Sequence, residues 1–298
     1  MKALVITGDK HFGPGHPRYE LQKSVVERLE VVYWSKGSIW SALPTGHFDV
    51  VTVQDPFWRG LFALWAARRL KARFNVQIHT DLAAQSLLRH ILAQIVLRHA
   101  DSVRVVSEKI KAQVIAAGVY TKISILPVFV DFQKFHSVVR QPHLPLTILW
   151  IGRFEKEKDP LRAISVLEEV RKEGINAKLV MIGTGSMQQD VIKKANNLPI
   201  IEILGWQDPR IHLDTADVVL CTSWHESWGA SIVEALAAGI PVVAPDVGIA
   251  REAGAIVVSR NELAQAVIKA LQSNANGELK LKLLTREEWG RAWKDSLI

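Results

Sequence analysis

The second half of the 298-residue chain alternates short β-branched runs with amphipathic helical patterns, and this alternation limits the possible folds more than any other feature. The run TILWIG is followed by DPLRAISVLEEVRKEG, in which Asp159 can cap a helix, Pro160 can begin it and Gly174 can end it. The later runs AKLVMIG, IEILG, DVVLCTS and PVVAPD are apolar along nearly their whole length. Continuous apolar strands separated by helices predict a parallel sheet that is buried on both faces.

The first half repeats this theme less regularly, with candidate strands ALVIT, EVVYW, DVVTV, NVQIH, SVRVVS and ISIL. A chain about twice the commonest domain length with this pattern predicts an α/β protein of two Rossmann-like domains. The polar, proline-containing segment 136–145 is the expected linker, so the first domain spans 1–140 and the second 146–284. Ligands in such sheets bind beyond the carboxyl ends of the strands, which predicts a central cleft at those ends.

The net positive charge of the chain comes from its first half. Residues 1–146 hold 19 Lys and Arg against 10 Asp and Glu, whereas residues 147–298 hold 18 against 20. The first half therefore predicts an anionic partner. A single cysteine, Cys221, excludes a disulfide framework and is interpreted as a small core residue. The apolar start is too short for a signal peptide and no window approaches about 18 uninterrupted apolar residues, so we expect a cytoplasmic protein.

Two glycine-rich segments are weak nucleotide motifs. GDKHFGPG lacks the Lys and Ser/Thr of a P-loop, and GTGSMQ has Gln188 where a dinucleotide fingerprint has its third glycine. The segment GRFEKEK is more informative, because Arg153 and Lys158 follow directly after a buried strand. Two cations on one short loop are suited to stabilising a departing diphosphate. The alternative is a solvated charged loop that also carries Glu155 and Glu157.

Two glutamates, Glu226 and Glu234, lie eight positions apart in SWHESWGASIVEALAAGIPVVA. The apolar spacing predicts a helix over 229–239, so eight helical positions would separate the carboxylates by ~12 Å. That distance exceeds the ~5 to 9.5 Å of paired glycosidase carboxylates, which disfavours an acid/base pair. The amides of 228–231 form a helix start suited to an anion, and the glutamates can contact hydroxyl groups on either side of it. The alternative for Glu234 is an exposed helix position.

The second half resembles the retaining glycosyltransferases of family 4, which have the GT-B architecture. The matching motifs run in order as IGRFEKEKD, LVMIGTGSM, ILGWQD, ADVVLCTSWHESWGASIVEALAAGIPVVAPDVGIARE and AIVV. The first half adds ADSVRVVSEKIK and GVYTKISILPVFVDFQKF. The segment TREEWGRAWKDSL resembles the family's last helix, which implies that a helix over 285–298 crosses back and completes the first domain.

The resemblance implies a role for each matching site residue. Arg153 and Lys158 would bind the donor diphosphate, Glu226 would contact the transferred sugar, and Glu234 would hold the ribose hydroxyls. His79 of QIHTDL would reach the donor sugar from the first domain, although a structural histidine is the alternative. The remaining donor-binding positions are Gly183, Trp206, Gln207, Trp228, Gly229, Ala230 and Ser231. These are twelve expectations about a single donor site.

The implied activity is metal-independent, cofactor-free transfer of a sugar from a UDP- or GDP-linked donor to an acceptor hydroxyl, with retention. The acceptor would be a glycan, a lipid-linked molecule or another anionic molecule, as in lipid-linked glycan, lipopolysaccharide or exopolysaccharide synthesis, and no nucleic acid is expected. A nucleotide-sugar epimerase of the same fold and a non-catalytic nucleotide-sugar binder are the alternatives.

The segment FWRGLFALWAARRLKARF at 57–74 bears on the location of the protein. It has an apolar stripe at positions 58, 61, 62 and 65 beside several cations. This segment either lies on the inner face of an anionic membrane or simply packs on its own sheet.

Overall fold

The computed structural model describes residues 1–34, 43–131, 135, 143–196, 198, 200–273 and 276–298. The chain divides into two compact units, one of Met1–Phe129 with Leu284–Ile298 and the other of Val130–Leu283. The sequence places the corresponding boundaries at 140–146 and 284–285. Much of the expected linker, residues 136–142, lies outside the described residues.

The first unit is a parallel sheet with helices. Its strand order is β2-β1-β3-β4-β5-β6. The strands are β1 (Lys2–Thr7), β2 (Arg28–Tyr33), β3 (Val50–Gln54), β4 (Arg73–Ile78), β5 (Ser102–Val105) and β6 (Lys122–Ile125). The helices α1 (Pro17–Ser24), α2 (Trp58–Leu70), α3 (Leu87–Leu97) and α4 (Glu108–Ala116) follow β1, β3, β4 and β5, respectively. The order reverses between β1 and β3, which is where a ligand crevice forms in such sheets.

The second unit has the strand order β12-β11-β10-β7-β8-β9, and its reversal lies between β7 and β10. The strands are β7 (Leu146–Ile151), β8 (Ala177–Ile182), β9 (Ile201–Ile203), β10 (Val218–Leu220), β11 (Val242–Ala244) and β12 (Ile256–Val257), and the helices are α5 (Pro160–Lys172), α6 (Gln188–Ala195), α7 (Arg210–Leu213), α8 (Ala230–Ala237), α9 (Ala250–Ala253) and α10 (Leu263–Ser273). The predicted α/β class with two parallel sheets is confirmed.

The local signals that the sequence predicted for α5 are present. Asp159 accepts a hydrogen bond from the Arg162 amide, Pro160 is the first helical residue, and Gly174 follows the helix with a positive φ of 80°. Ile164, Leu167 and Val170 of α5 are fully buried against the sheet. The alternation of buried strands and amphipathic helices therefore builds one continuous core in this unit.

The last helix, α11 (Arg286–Asp295), belongs to the first unit. Thr285 and Glu288 form a capping box at its start, and Trp289 and Trp293 are buried in the core formed by β1, α1 and β3. The Asn75 side chain on β4 also donates a hydrogen bond of 2.9 Å to the Ser296 carbonyl oxygen. The predicted completion of the first domain by a C-terminal helix is thus observed within this unit.

Helix α2 packs on its own sheet. Phe62, Ala63 and Ala67 are buried at its contacts with β3, β4 and α3, whereas Trp58 and Trp65 are 42% and 37% exposed. Because Phe62 is only 5% exposed, the stripe at 58, 61, 62 and 65 cannot all face a membrane. The structure favours the sheet-packing alternative for this segment. Among the described residues, no helix is long and apolar enough to cross a bilayer.

Candidate active site

The segments that follow β7 and β10 carry the predicted site residues Arg153, Lys158 and Glu226. These strands flank the point where the strand order reverses, so the segments after them border the same crevice. The Trp224 amide, after β10, donates a 2.8 Å hydrogen bond to the Glu157 carbonyl oxygen, after β7. The topology therefore brings together two of the predicted site segments that lie about 70 residues apart in sequence.

Lys158 and Glu226 form an ion pair in this crevice. The Lys158 Nζ lies 2.5 Å from Glu226 Oε1, and the Ser223 hydroxyl donates to the same oxygen at 2.8 Å. The two side chains are 18% and 13% exposed. Such partial burial strengthens the attraction relative to a surface pair. The pair places a cation and a hydrogen-bonding carboxylate within reach of one bound molecule.

Arg153 is arranged differently from Lys158. Its guanidinium is 66% exposed and pairs with Glu157 at 2.6 Å, one helical turn along the loop. An exposed pair of this kind contributes little free energy, so a diphosphate could readily replace Glu157 as the partner of Arg153. The structure thus places both predicted cations on the loop after β7, and it gives each of them a carboxylate partner.

The start of α8 lies immediately after this ion pair. Gly229 caps the helix with a φ of 103°, and the first amides of a helix have no acceptor within the helix. Gly248 packs against this start so closely that a Cβ there would lie 2.3 Å from the Trp228 carbonyl oxygen. Trp228 and Gly229 are buried as whole residues, whereas Ala230 and Ser231 are partly exposed. The amides of Ala230 and Ser231 are therefore the accessible candidates to donate to a phosphate, and the roles of Trp228 and Gly229 stay predictions.

Glu234 lies on α8 in a partly buried position, so the alternative of an exposed helix residue is wrong. Burial raises the pKa of this carboxyl to about 7, and the neighbouring Asp208 adds to the rise while Arg210 opposes it. Asp208 and Arg210 are paired with each other through three side-chain hydrogen bonds. A carboxylate that is poorly hydrated before a ligand binds is suited to accept hydrogen bonds from ribose hydroxyls.

We expect Glu234 to make stability depend on pH. Its pKa in the folded state, about 7, lies above its ordinary value of 4.5, so the folded protein holds this proton more tightly than the unfolded chain. The contribution is fully present below about pH 4.5 and is lost as the pH rises through about 7. In thermal melts, the Tm of the wild type should therefore fall relative to that of Glu234→Gln over this range. A Tm difference that stays constant with pH would contradict this assignment.

The remaining donor-site candidates lie around β8 and β9. Gly183 follows β8 with a φ of 149°, and its amide donates to the Gly205 carbonyl oxygen at 2.7 Å. Trp206 is 69% exposed, as expected for a side chain available to a base. The side-chain Nε2 of Gln207 donates to the Leu204 carbonyl oxygen at 3.0 Å, and its Oε1 lies 2.9 Å from His212 Nε2. Gln207 is therefore held in place by its own segment.

His79 lies in the first unit, directly after β4. Its Nε2 is buried with no hydrogen-bond partner among the described residues, and its amide donates to Asp55 at 3.0 Å. Burial holds the pKa of the imidazole well below its usual range, with smaller contributions from Arg104 and Arg18. The ring is neutral and its unpaired Nε2 is not exposed to a ligand in this structure, so the contact of His79 with the donor sugar stays a prediction beside the structural alternative.

Arg260 and Thr222 are residues of this site that sequence reasoning missed. The Arg260 guanidinium contacts the Asp159 carboxylate and the Thr222 carbonyl oxygen, and it stacks 3.6 Å from the centre of the Trp224 ring. The Thr222 hydroxyl donates to the Lys158 carbonyl oxygen at 2.8 Å. Together they join the segment that carries Lys158 to the segment that carries Glu226. The one local signal near Arg260 is the capping box of Ser259 and Glu262, which indicates only a helix start.

Cys221 is buried at the end of β10, as the sequence predicts. Burial raises the pKa of its thiol, and the nearby Glu226 carboxylate adds to the rise. A nucleophilic role is therefore disfavoured. Among the described residues, no group of three or more His, Cys, Asp and Glu side chains is arranged to hold a metal ion.

Family comparisons cover most of both units. Residues 9–134 match the family described as Glycosyltransferase Family 4, and residues 145–273 match the family described as Glycosyl transferases group 1. The chain belongs to glycosyltransferase family 4. The two matched ranges include the segment that carries His79 and every predicted site residue of the second unit.

Curated relatives of this family 4 glycosyltransferase are longer than the chain. The alpha-monoglucosyldiacylglycerol synthase of Streptococcus pneumoniae is 24% identical over 259 residues, which cover 75% of this chain and 59% of the relative. The GDP-mannose-dependent alpha-(1-6)-phosphatidylinositol dimannoside mannosyltransferase of Mycobacterium tuberculosis is 30% identical over 187 residues, which cover 56% and 49%. The chain thus spans about half to three fifths of the length of these relatives.

Solved structures confirm the GT-B fold of this family 4 glycosyltransferase. Anabaena HepE, solved in complex with UDP and glucose, aligns with a TM-score of 0.74 and 16% identity over 100% of this chain and 95% of its own. The lipopolysaccharide outer core galactosyltransferase WaaB aligns with a TM-score of 0.65 and 16% identity over 99% and 95%. At these identities the likeness concerns the fold alone.

Proposed function

We propose that the chain is a retaining, metal-independent glycosyltransferase that moves a sugar from a UDP- or GDP-linked donor to an acceptor hydroxyl. The observation that carries this proposal is the Lys158–Glu226 pair beside the open start of α8, at the carboxyl ends of β7 and β10. This arrangement offers a cation and backbone amides to a diphosphate and a carboxylate to the hydroxyls of the attached sugar.

The chemistry follows from these groups. The bond between the anomeric carbon and the diphosphate oxygen breaks, the electron pair stays on that oxygen, and a bond forms from the anomeric carbon to the acceptor oxygen. The acceptor proton passes to the departing phosphate oxygen. Lys158, Arg153 and the amides of 228–231 stabilise the growing negative charge in a fixed arrangement. Glu226 and His79 position the sugar, and Glu234 accepts from the ribose hydroxyls.

The names of related proteins support a nucleotide-sugar donor and a lipid-linked or glycan acceptor. One relative is named for a GDP-mannose donor and a phosphatidylinositol acceptor, another for a diacylglycerol product, and HepE was solved with UDP and glucose. Together with the positive charge of residues 1–146, these names favour an acceptor in lipid-linked glycan, lipopolysaccharide or exopolysaccharide synthesis. We therefore propose a cytoplasmic protein that attaches peripherally to the inner face of the membrane, where such an acceptor is found.

A thermal-shift screen of nucleotides and nucleotide-sugars tests the donor part of this proposal. A ligand at 100 times its Kd stabilises the fold by about 2.7 kcal/mol. We expect one UDP- or GDP-sugar to raise the Tm, and Arg153→Ala to lower turnover at saturating concentrations of that donor. Full turnover by Arg153→Ala would contradict the assigned role of this cation. Donor conversion without an acceptor would indicate an epimerase, and binding without any turnover would indicate a non-catalytic binder.

A further inference from the structure

The Arg260 guanidinium contacts both of the segments that carry the candidate active site. Arg260 lies in the segment after β12, and its Nη2 contacts the Asp159 carboxylate in the loop after β7. Its Nη1 contacts the carbonyl oxygens of Thr222 and Ser223 after β10, the second at 3.2 Å. A guanidinium is planar and presents its donors in a fixed fork, so these contacts hold the two segments at one separation.

These contacts lie one step away from the Lys158–Glu226 ion pair. Asp159 follows Lys158 directly in the chain. The Ser223 hydroxyl donates at 2.8 Å to Glu226 Oε1, which is the same oxygen that the Lys158 ammonium contacts. The position of Arg260 is therefore passed to the cation through Asp159 and to the carboxylate through Ser223.

The backbone of Asp159 has a conformation that requires such support. Its φ of 47° and ψ of 60° lie in the left-handed region, where residues other than glycine persist only when their surroundings fix them. The Asp159 carboxylate accepts from the Arg162 amide at 3.3 Å and contacts Arg260. Its carbonyl oxygen lies 2.9 Å from the Thr222 hydroxyl. The residue next to Lys158 is thus held at both its side chain and its carbonyl group.

The Arg260 guanidinium is shielded from water. The Trp224 ring lies over it, 3.6 Å from the ring centre, and the Arg260 side chain is 19% exposed. The Trp224 amide donates to the Glu157 carbonyl oxygen at 2.8 Å, so the residue that covers Arg260 is itself anchored to the loop after β7. A partly buried ion pair attracts more strongly than one on the surface. The contact between Arg260 and Asp159 therefore holds the site in place without a ligand.

We propose that Arg260 is a positioning residue for sugar transfer, which fixes the Lys158 ammonium and the Glu226 carboxylate before the donor binds. It acts through Asp159 and Ser223 and does not itself contact the donor. Stabilisation of the departing diphosphate depends on groups that need no rearrangement, and a misplacement of about 1 Å can lower the rate by about 100-fold. The effect on turnover rests on the proposed function, whereas the coupling of Arg260 to Lys158 does not.

Steady-state kinetics of Arg260→Gln tests the effect on turnover. We expect kcat to fall by about 10- to 100-fold while the KM for the donor changes by less than about threefold, because the cation is needed most as the diphosphate departs. Arg171→Gln is the matched control. Arg171 lies in the last turn of α5 and donates at 3.0 Å to the Ala177 carbonyl oxygen at the amino end of β8, the opposite edge of the sheet from the site. A kcat of Arg260→Gln equal to that of this control would overturn the proposal.

Two further variants separate positioning from a loss of folding. Asp159→Asn keeps a helix-capping residue that tolerates the left-handed conformation and removes only the charge, so kcat should fall by about fivefold even if Arg260→Gln does not fold. Adding Arg260→Gln to Lys158→Ala should lower kcat by less than about threefold more, because most of the effect of Arg260 requires the lysine. Losses that multiply in the double variant, or a wild-type kcat in Asp159→Asn, would contradict the assigned role.

Amine labelling tests the coupling without donor or turnover. In the wild type the Lys158 side chain is 18% exposed and engaged by Glu226, so acetic anhydride should modify it more slowly than the exposed Lys156 on the same loop. Mass spectrometry should show the ratio of Lys158 to Lys156 modification rising by at least about threefold in Arg260→Gln, because the loop opens more often. The ratio should stay at the wild-type value in Arg171→Gln. An unchanged ratio in Arg260→Gln would sink the proposal.

The proposed function and the role of Arg260 fail separately in these experiments. If a nucleotide-sugar raises the Tm and is turned over, but kcat and labelling are unchanged in Arg260→Gln, the positioning role fails and the glycosyltransferase proposal stands. If no nucleotide-sugar raises the Tm but labelling changes as expected, the coupling of Arg260 to Lys158 stands and the assigned activity fails. Thermal melts of each variant set the assay temperature below its Tm, so that every measurement concerns folded protein.

Discussion

Lys158→Ala is expected to lower kcat for sugar transfer by about 100- to 1000-fold, the usual effect of removing one preorganised group that stabilises charge in a transition state. The reason is specific to this site. The Lys158 ammonium is partly buried, held by Glu226 at 2.5 Å, and anchored through the Thr222 contact to its own carbonyl oxygen. Water cannot replace such a fixed cation when the diphosphate departs.

Steady-state kinetics with a saturating donor measures this loss. Lys156→Ala is the matched control, because Lys156 is an exposed lysine on the same loop. The control should stay close to the wild-type kcat, and a thermal melt should show that both variants are folded. A Lys158→Ala enzyme that turns over as fast as Lys156→Ala would remove Lys158 from the chemistry.

Gly183→Ala is expected to destabilise the second unit by more than about 3 kcal/mol, at the upper end of the range for single substitutions. A Cβ at this position would lie 1.8 Å from the Gly152 carbonyl oxygen, and the φ of 149° is strained for any side chain. The ladder between β7 and β8, which pairs Ile151 with Ile182, leaves the backbone little room to move. At ~2 to 4 °C per kcal/mol, the Tm should fall by about 10 °C.

Gly205→Ala provides the control for this prediction. Gly205 also has a positive φ, 68°, but no atom lies within 4 Å of an added Cβ. Its substitution should cost about 1 kcal/mol, from backbone strain alone. Calorimetry of both variants separates the contact from the strain. Equal Tm losses would show that the close approach of the strand ends at Gly183 is unimportant.

The fold was predictable because its signals are local. Asp159, Pro160 and Gly174 bound α5 in the sequence as they do in the structure, and the apolar runs became buried parallel strands. The proximity of the segments that carry Lys158 and Glu226 could also be predicted from the sequence, because the strands of a parallel sheet direct their carboxyl ends to one edge. Sequence order and known sheet topology were sufficient for both.

Properties that depend on tertiary packing were not predictable. Arg260 contacts Asp159 across about 100 positions of sequence, and no spacing rule indicates such a contact. The pKa of Glu234 depends on how deeply α8 is covered. Amphipathic periodicity drew attention to α2, but the exposed apolar face lies on α3, because α2 is covered by its neighbours and the outer side of α3 is not.

The helix α11 imposes an order on folding during synthesis. The first unit buries Trp289 and Trp293, and the Ser296 carbonyl oxygen is bonded to Asn75, 221 positions earlier. A ribosome that has translated residues 1–129 has therefore produced a sheet whose largest aromatic core partners do not yet exist. The second unit, which is contiguous in sequence, can fold before the first one is complete. During synthesis, the amino-terminal half therefore keeps apolar surface uncovered until the residues of α11 leave the ribosome.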